Sequence, residues 1–131
     1  MLVDANIFLE LFLEQERMDR CKEFLNKTVN GQIKAIISDF SVDSIIITME
    51  RNKLFKDKMK SFLQKLLDSE GIKIYSVSIK DRMRALYFME IYGLDYEDAI
   101  ILQSALSSNC KEIVSFDKHF DKVKEIKRVE P

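Results

Sequence analysis

The segment Leu2-Val3-Asp4-Ala5-Asn6-Ile7-Phe8-Leu9-Glu10-Leu11-Phe12 sets a pattern that the rest of the chain repeats. Leu2 and Val3 make a short apolar strand that runs into an acid. Ile7, Phe8, Leu11 and Phe12 then recur at helical spacing behind Asn6, whose short polar side chain suits a helix N-cap. A strand that passes directly into a helix is half of a crossover unit, so its partner strands are expected to run parallel to it.

The alternation continues along the sequence. Met18, Cys21, Phe24 and Leu25 mark a second helix that stops near Asn30-Gly31. Ala35, Ile36 and Ile37 form a second strand closed by Ser38-Asp39, and either polar residue suits the cap of the next helix. That helix, Phe40 to Arg51, is rich in β-branched residues, but Val42, Ile45, Ile46 and Met49 share a helical face. Leu54, Phe55, Met59, Phe62, Leu63, Leu66 and Leu67 mark another helix before Gly71, and Ile72 to Val77 reads as a third strand. A helix from about Lys80 to Tyr92 is expected to turn Met83, Leu86, Tyr87 and Ile91 inward and to stop at Gly93. Asp95 can cap a helix through Ala99, Ile100, Leu102 and Leu106; Glu112 to Ser115 gives a fourth strand and Ile126 to Val129 a candidate fifth. The expected fold is a three-layer α/β/α domain spanning residues 1–131 as one unit, with a short parallel sheet of four or five strands.

Composition agrees with this reading. Only three Gly and one Pro occur in 131 residues, against roughly a dozen per hundred in average proteins, which excludes collagen-like, proline-linker and many-turned all-β architectures. Twenty-one basic and 22 acidic residues leave a net charge of -1, so no global field steers the chain toward nucleic acid or membrane. No apolar stretch approaches the roughly 20 residues of a bilayer span, no signal-peptide core is visible, and Cys21 and Cys110 lie far apart without a metal or redox spacing. A cytoplasmic protein with two reduced thiols and no membrane contact is the expectation. Gly31, Gly71 and Gly93 are isolated, so phosphate-cradling P-loop and Rossmann readings fail.

In parallel sheets the carboxyl ends of the strands form the site. Asp4 follows the first strand and Asp117 the fourth, so both carboxylates belong to one sheet edge. Asp98 lies in the first turn of its helix and points at that edge if the helix begins beside it. Three carboxylates without an intervening Lys or Arg repel one another, and a hard divalent cation such as Mg²⁺ or Mn²⁺ relieves that repulsion. Each acid taken alone is an ordinary turn or cap residue. His119, the only histidine, sits two residues beyond Asp117 and reads as a surface side chain. Arg51 to Lys65 carries six basic residues and one acid, a local excess that suits phosphates or simply a solvated helix face. Phe116, Phe120, Tyr87 and Phe88 read as core.

Taken in order, Leu2-Val3-Asp4-Ala5-Asn6, Leu94-Asp95-Tyr96-Glu97-Asp98-Ala99-Ile100 and Ile113-Val114-Ser115-Phe116-Asp117-Lys118-His119-Phe120 resemble the motifs of the PIN-domain family, which includes VapC-like toxin ribonucleases of toxin-antitoxin pairs. The resemblance covers nearly the whole chain. It implies a metal-dependent ribonuclease that hydrolyses RNA phosphodiester bonds, with Asp4, Asp98 and Asp117 holding Mg²⁺ or Mn²⁺ and with Asn6 and Ser115 hydrogen-bonding those carboxylates. It also implies an RNA substrate, an antitoxin protein as partner if the chain is a toxin, and a homodimer. One acid departs from the pattern. The family often has a Glu in the helix after the second strand, where the simplest register here places Ser44, with Asp43 one residue earlier. Adjacent helix residues diverge by roughly 100°, so Asp43 either reaches the ion through a water or is a solvated acid.

Competing enzyme classes fit less well. A haloacid-dehalogenase-like phosphatase needs a second Asp where Asn6 stands, and a phosphoreceiver domain needs an acid pair near the first strand and a late Lys. The main alternative is a catalytically degenerate PIN-like domain that serves as an RNA-binding or protein-interaction module.

Overall fold

The computed structural model describes residues 1–131. In chain order it contains β1 (Leu2–Val3), α1 (Ala5–Phe12), α2 (Met18–Val29), β2 (Ala35–Ser38), α3 (Asp39–Arg51), α4 (Lys56–Asp68), β3 (Ile72–Tyr75), α5 (Ile79–Tyr92), α6 (Tyr96–Ser107), β4 (Glu112–Val114), a 3-10 helix (Lys118–Lys122) and β5 (Lys127–Val129). The strands form one sheet in the order β3-β2-β1-β4-β5, with every pair parallel. This is the expected α/β architecture, and the fifth strand is present.

β1 is only two residues long but is shared by both halves of the interior. Successive strand side chains point to opposite faces. Leu2 therefore packs with Ala99, Ile100, Ile113 and Phe120 on one side, while Val3 packs with Ile7, Phe8, Ile37 and Val114 on the other. The first core lies under α5 and α6, the second under α1 to α4. α6 is the most enclosed helix, with every residue from Asp98 to Ala105 buried.

Several expectations require correction. The N-cap of α1 is Asp4, not Asn6, because the chain turns helical one residue after the strand, and Asn6 lies inside the first turn. α4 begins at Lys56 and buries only Phe62 and Leu66, leaving Phe55 and Leu67 on the surface. α5 faces the opposite way from the expected stripe. Ser78 and Asp81 close a capping box, and Asp81 is buried under Ser78, Tyr75 and Ser107, which turns Asp81, Ala85 and Phe88 toward the sheet. Met83, Leu86, Tyr87 and Ile91 consequently project outward together with Ile79. Tyr87 is thus a surface residue, whereas Phe88 and Phe120 are core as read.

Two glycines hold places no other residue fits well. Gly93 ends α5 at φ 59°, in the left-handed region. At Gly71 a Cβ would lie 2.1 Å from the carbonyl oxygen of Thr28 and 2.5 Å from that of Ile33, so β3 enters the sheet by close backbone contact with the α2–β2 connection.

Candidate metal centre

The strand order reverses direction at β1, with β2 on one side and β4 on the other. Open parallel sheets bind ligands at the carboxyl ends of strands at such a switch point. The register there pairs Leu2 with Ile113 and Val3 with Val114, and the Asp4 N–H donates to the Val114 carbonyl at 3.0 Å. Asp4 and Ser115 therefore meet side by side. The Ser115 hydroxyl donates to Asp4 Oδ2 at 2.5 Å and accepts from Asn6 Nδ2 and from the Asp117 N–H, both at 2.9 Å. Asn6 Nδ2 also donates to Asp4 Oδ2 at 2.6 Å. Placing Asn6 inside the first turn of α1 is what brings its amide back over Asp4, so the two polar residues fix the orientation of that carboxylate.

Asp98 arrives from the other layer. Buried Leu94 anchors the turn before α6, and the Asp95 carboxylate caps the helix by accepting from the Asp98 N–H at 2.9 Å. The helix thus starts beside the sheet edge, and Asp98 projects onto it with only 6% of its surface exposed. Asp98, Asp117 and His119 each place one ligand atom within 4.8 Å of the others. His119 Nδ1 lies 3.3 Å from Asp98 Oδ2 and 3.2 Å from Asp117 Oδ1. Asp4 stands beside this trio and is joined to it by charge. Burial pushes the Asp4 carboxyl up to about 7, and the neighbouring charges of Asp98 and Glu97 add to the shift against the Ser115 and Asn6 hydrogen bonds. Burial likewise raises Asp98 to about 6, assisted by repulsion from Asp117 and Asp95 and opposed by His119.

His119 is therefore part of this cluster and not the isolated surface side chain its sequence context suggests. The signal was its spacing: the 3-10 turn after Asp117 folds position 119 back over position 117, and the His119 N–H donates to Asp117 Oδ1 at 2.8 Å. Asp43 is exposed and stands apart. Ser44 makes a contact across the fold instead, donating to Glu97 Oε1 at 2.7 Å. On the other flank, the Arg17 guanidinium lies 4.4 Å over the ring of Phe116, between Ser115 and Asp117 in sequence. The six basic residues from Arg51 to Lys65 are all exposed, and Lys58 pairs with Glu14 at 3.7 Å. Of the later basic residues, Arg128 braces the edge from behind by donating to the Ser115 carbonyl and to Asp121 and Glu130.

Two carboxylates held partly protonated by burial and mutual repulsion, with a third and an imidazole beside them, form a donor set suited to a hard divalent cation. Oxygen ligands at a rim open to water fit Mg²⁺ or Mn²⁺ better than zinc, which favours closed nitrogen and sulfur shells. The residues present therefore fit the ion that the sequence resemblance implies.

Comparison with known proteins agrees with the topology. The toxin VapC20 of Mycobacterium tuberculosis, described as cleaving the sarcin-ricin loop, superposes with a TM-score of 0.78 at 13% identity, over 99% of this chain and 98% of that one. A toxin-antitoxin complex from Klebsiella pneumoniae gives 0.70 at 20% identity, over 95% and 93%. VapBC2 of Rickettsia felis, solved with a DNA fragment from its promoter, gives 0.69 at 18% identity, over 98% and 96%. These likenesses establish a shared fold. The comparison with curated proteins returned no match. The family model for the PIN domain matches residues 1–126, so nearly the whole sequence carries the family's pattern, and the chain belongs to the PIN domain family.

Proposed function

We propose that this protein is a divalent-metal-dependent endoribonuclease of the VapC type, acting as the toxin of a toxin-antitoxin pair. The observation that carries the reading is the convergence of Asp4, Asp98 and Asp117 at the β1/β4 switch point, where burial and mutual repulsion hold two of them above ordinary carboxylate values. Asp4, Asp98 and Asp117 would hold the Mg²⁺ or Mn²⁺. When bound, such an ion supplies Lewis acidity for phosphodiester hydrolysis and offsets charge that develops on the phosphate oxygens.

The chain's own residues account for the rest. Ser115 and Asn6 lock Asp4 in one orientation, so that carboxylate needs no reorganisation to serve as a ligand. His119 bridges the two other acids. Arg17, preorganised on Phe116, is suited to gripping an RNA phosphate beside the acidic edge. Binding of the ion requires deprotonated carboxylates, so it releases protons near neutral pH. The nuclease reading is tested by incubating the protein with a mixed RNA pool and Mn²⁺: cleavage is expected for the native chain and is lost in Asp4→Asn, Asp98→Asn and Asp117→Asn. Full activity in all three variants overturns it. Retained RNA affinity without cleavage or Mn²⁺ uptake would favour the interaction module.

Two partners follow from the same reading. The antitoxin is supported by the structural neighbours, two of which are described as toxin-antitoxin or VapBC assemblies. A second copy of this chain suits the exposed α5 face, where Ile79, Met83, Leu86, Tyr87 and Ile91 form a stripe flanked by Lys80 and Glu90. Antiparallel self-pairing of this helix sets Ile79 against Ile91, Met83 against Tyr87 and Lys80 against Glu90, which joins apolar contact with opposite charges. No helix is long and apolar enough to cross a membrane. Both cysteines are free and buried, as suits a reducing cytoplasm.

A further inference from the structure

We infer that Glu97 is a fourth acid of the cation centre and that Ser44 positions it there, an assignment that rests on the nuclease reading above. The sequence resemblance leads one to expect an acid on α3, but the chain has Ser44 at that position. The structure brings a carboxylate to the same place from another helix. Ser44 Oγ donates to Glu97 Oε1 at 2.7 Å, across 53 positions of sequence. One turn earlier on α3, Phe40 meets Tyr96 edge to face with ring centroids 6.0 Å apart. Consecutive residues at the start of α6 are thus fastened to α3 at two points four residues apart, which fixes the Glu97 side chain.

Glu97 has no basic partner. Its carboxylate makes the Ser44 hydrogen bond and no ion pair, and its charge reaches Asp4, for which it is one of the repulsive neighbours. A carboxylate pinned near two buried acids without a counter-ion raises the free energy of the metal-free fold. A divalent cation at the Asp4 edge reverses that sign. Asp43 shows the contrast, since it is exposed and makes no hydrogen bond to the site. Glu97 is not among the atoms clustered with Asp98, Asp117 and His119. Its role is therefore that of a positioning residue, which adds negative charge and a hydrogen-bond acceptor on the Asp4 side of the centre.

The test is Mn²⁺ titration of the metal-free protein, followed by calorimetry and by the loss of the free-ion paramagnetic signal, with Asp98→Asn measured alongside. Glu97→Gln is expected to weaken Mn²⁺ binding about tenfold, the range found when groups that orient metal ligands are removed. Ser44→Ala is expected to weaken it less. The double variant Ser44→Glu with Glu97→Gln returns the carboxylate to α3 and is expected to recover most of the affinity, which a merely structural role for Glu97 does not predict. Both side chains are on or near the surface, so these variants are expected to fold. Native affinity in Glu97→Gln, with binding lost in Asp98→Asn, overturns this assignment alone. Absence of Mn²⁺ binding by the native chain, or native affinity in Asp98→Asn, overturns the nuclease reading on which it rests.

Discussion

Replacing Asp4 with Asn removes the charge of the most enclosed acid in the centre while keeping its size, and in the absence of metal it is expected to make the protein more stable. The folded-state value near 7, against an ordinary value of 3.8, corresponds to about 4 kcal/mol of destabilisation once both folded and unfolded forms are ionised. Part of that gain is forfeited, because an amide cannot accept both the Ser115 hydroxyl and the Asn6 amide as the carboxylate does, and about 2 kcal/mol is the expected net. The sign with pH follows from the raised value. Between about pH 4 and pH 7 the folded chain keeps a proton on Asp4 that the unfolded chain has released, so native stability falls as pH rises through that window. Urea unfolding with a chelator present, at pH 8 and at pH 4.5, measures both quantities: the variant is expected to be ahead at pH 8, with most of the advantage gone at the lower pH. Saturating Mn²⁺ is expected to stabilise the native chain more than the variant, since only the native chain keeps the full ligand set. A variant less stable than the native chain at pH 8 without metal, or an advantage independent of pH, refutes the reasoning.

Other outcomes follow from features away from the acids. Gly71→Ala is expected to cost about 3 kcal/mol, because its Cβ would overlap two backbone carbonyls that cannot move aside, and thermal melting reads the loss. Asp81 is held well below the usual carboxylate range: burial pushes it up, but hydrogen bonds from Ser78, Ser107 and Tyr75 outweigh that. Its contribution is therefore present above about pH 4 and lost as pH falls further, so Asp81→Asn is expected to cost about 2 kcal/mol at pH 7 and to flatten the acid limb of a stability profile. Leu86→Asp on the exposed α5 stripe is expected to abolish self-association in analytical ultracentrifugation while leaving the melting profile of the monomer in place. An unchanged sedimentation coefficient removes α5 from the dimer face.

Much of the fold was legible because period and order carry it. Apolar runs such as Ile36 and Ile37, separated by amphipathic segments, dictate a parallel sheet, and the acids that follow β1 and β4 fall on one edge by topology. The orientation of α5 was not legible. Its apolar stripe is stronger than the face it buries, and the inward face is chosen by Asp81, a carboxylate that only the contacts with Tyr75 and Ser107 make tolerable in the interior. Within the centre, Asp4, Asp98, Asp117, Asn6 and Ser115 could be named from motifs. His119 and Glu97 could not, since the first depends on a 3-10 turn that folds two residues back and the second on a hydroxyl that lies 53 positions away.

The two-residue strand β1 ties the fate of the centre to that of the whole fold. Leu2 and Val3 are anchored in separate cores, and the Asp4 N–H is bonded to β4. There is no flanking stretch of strand that could fray while the rest stays paired, so the edge that carries Asp4 opens only when both cores do. Amide hydrogens at Val3 and Asp4 should then exchange with solvent at the rate of global unfolding, whereas those of the 3-10 turn around His119 exchange through local opening. The centre thus joins a ligand with no independent motion to one that can yield, which lets substrate and ion enter from the His119 side while Asp4 stays fixed.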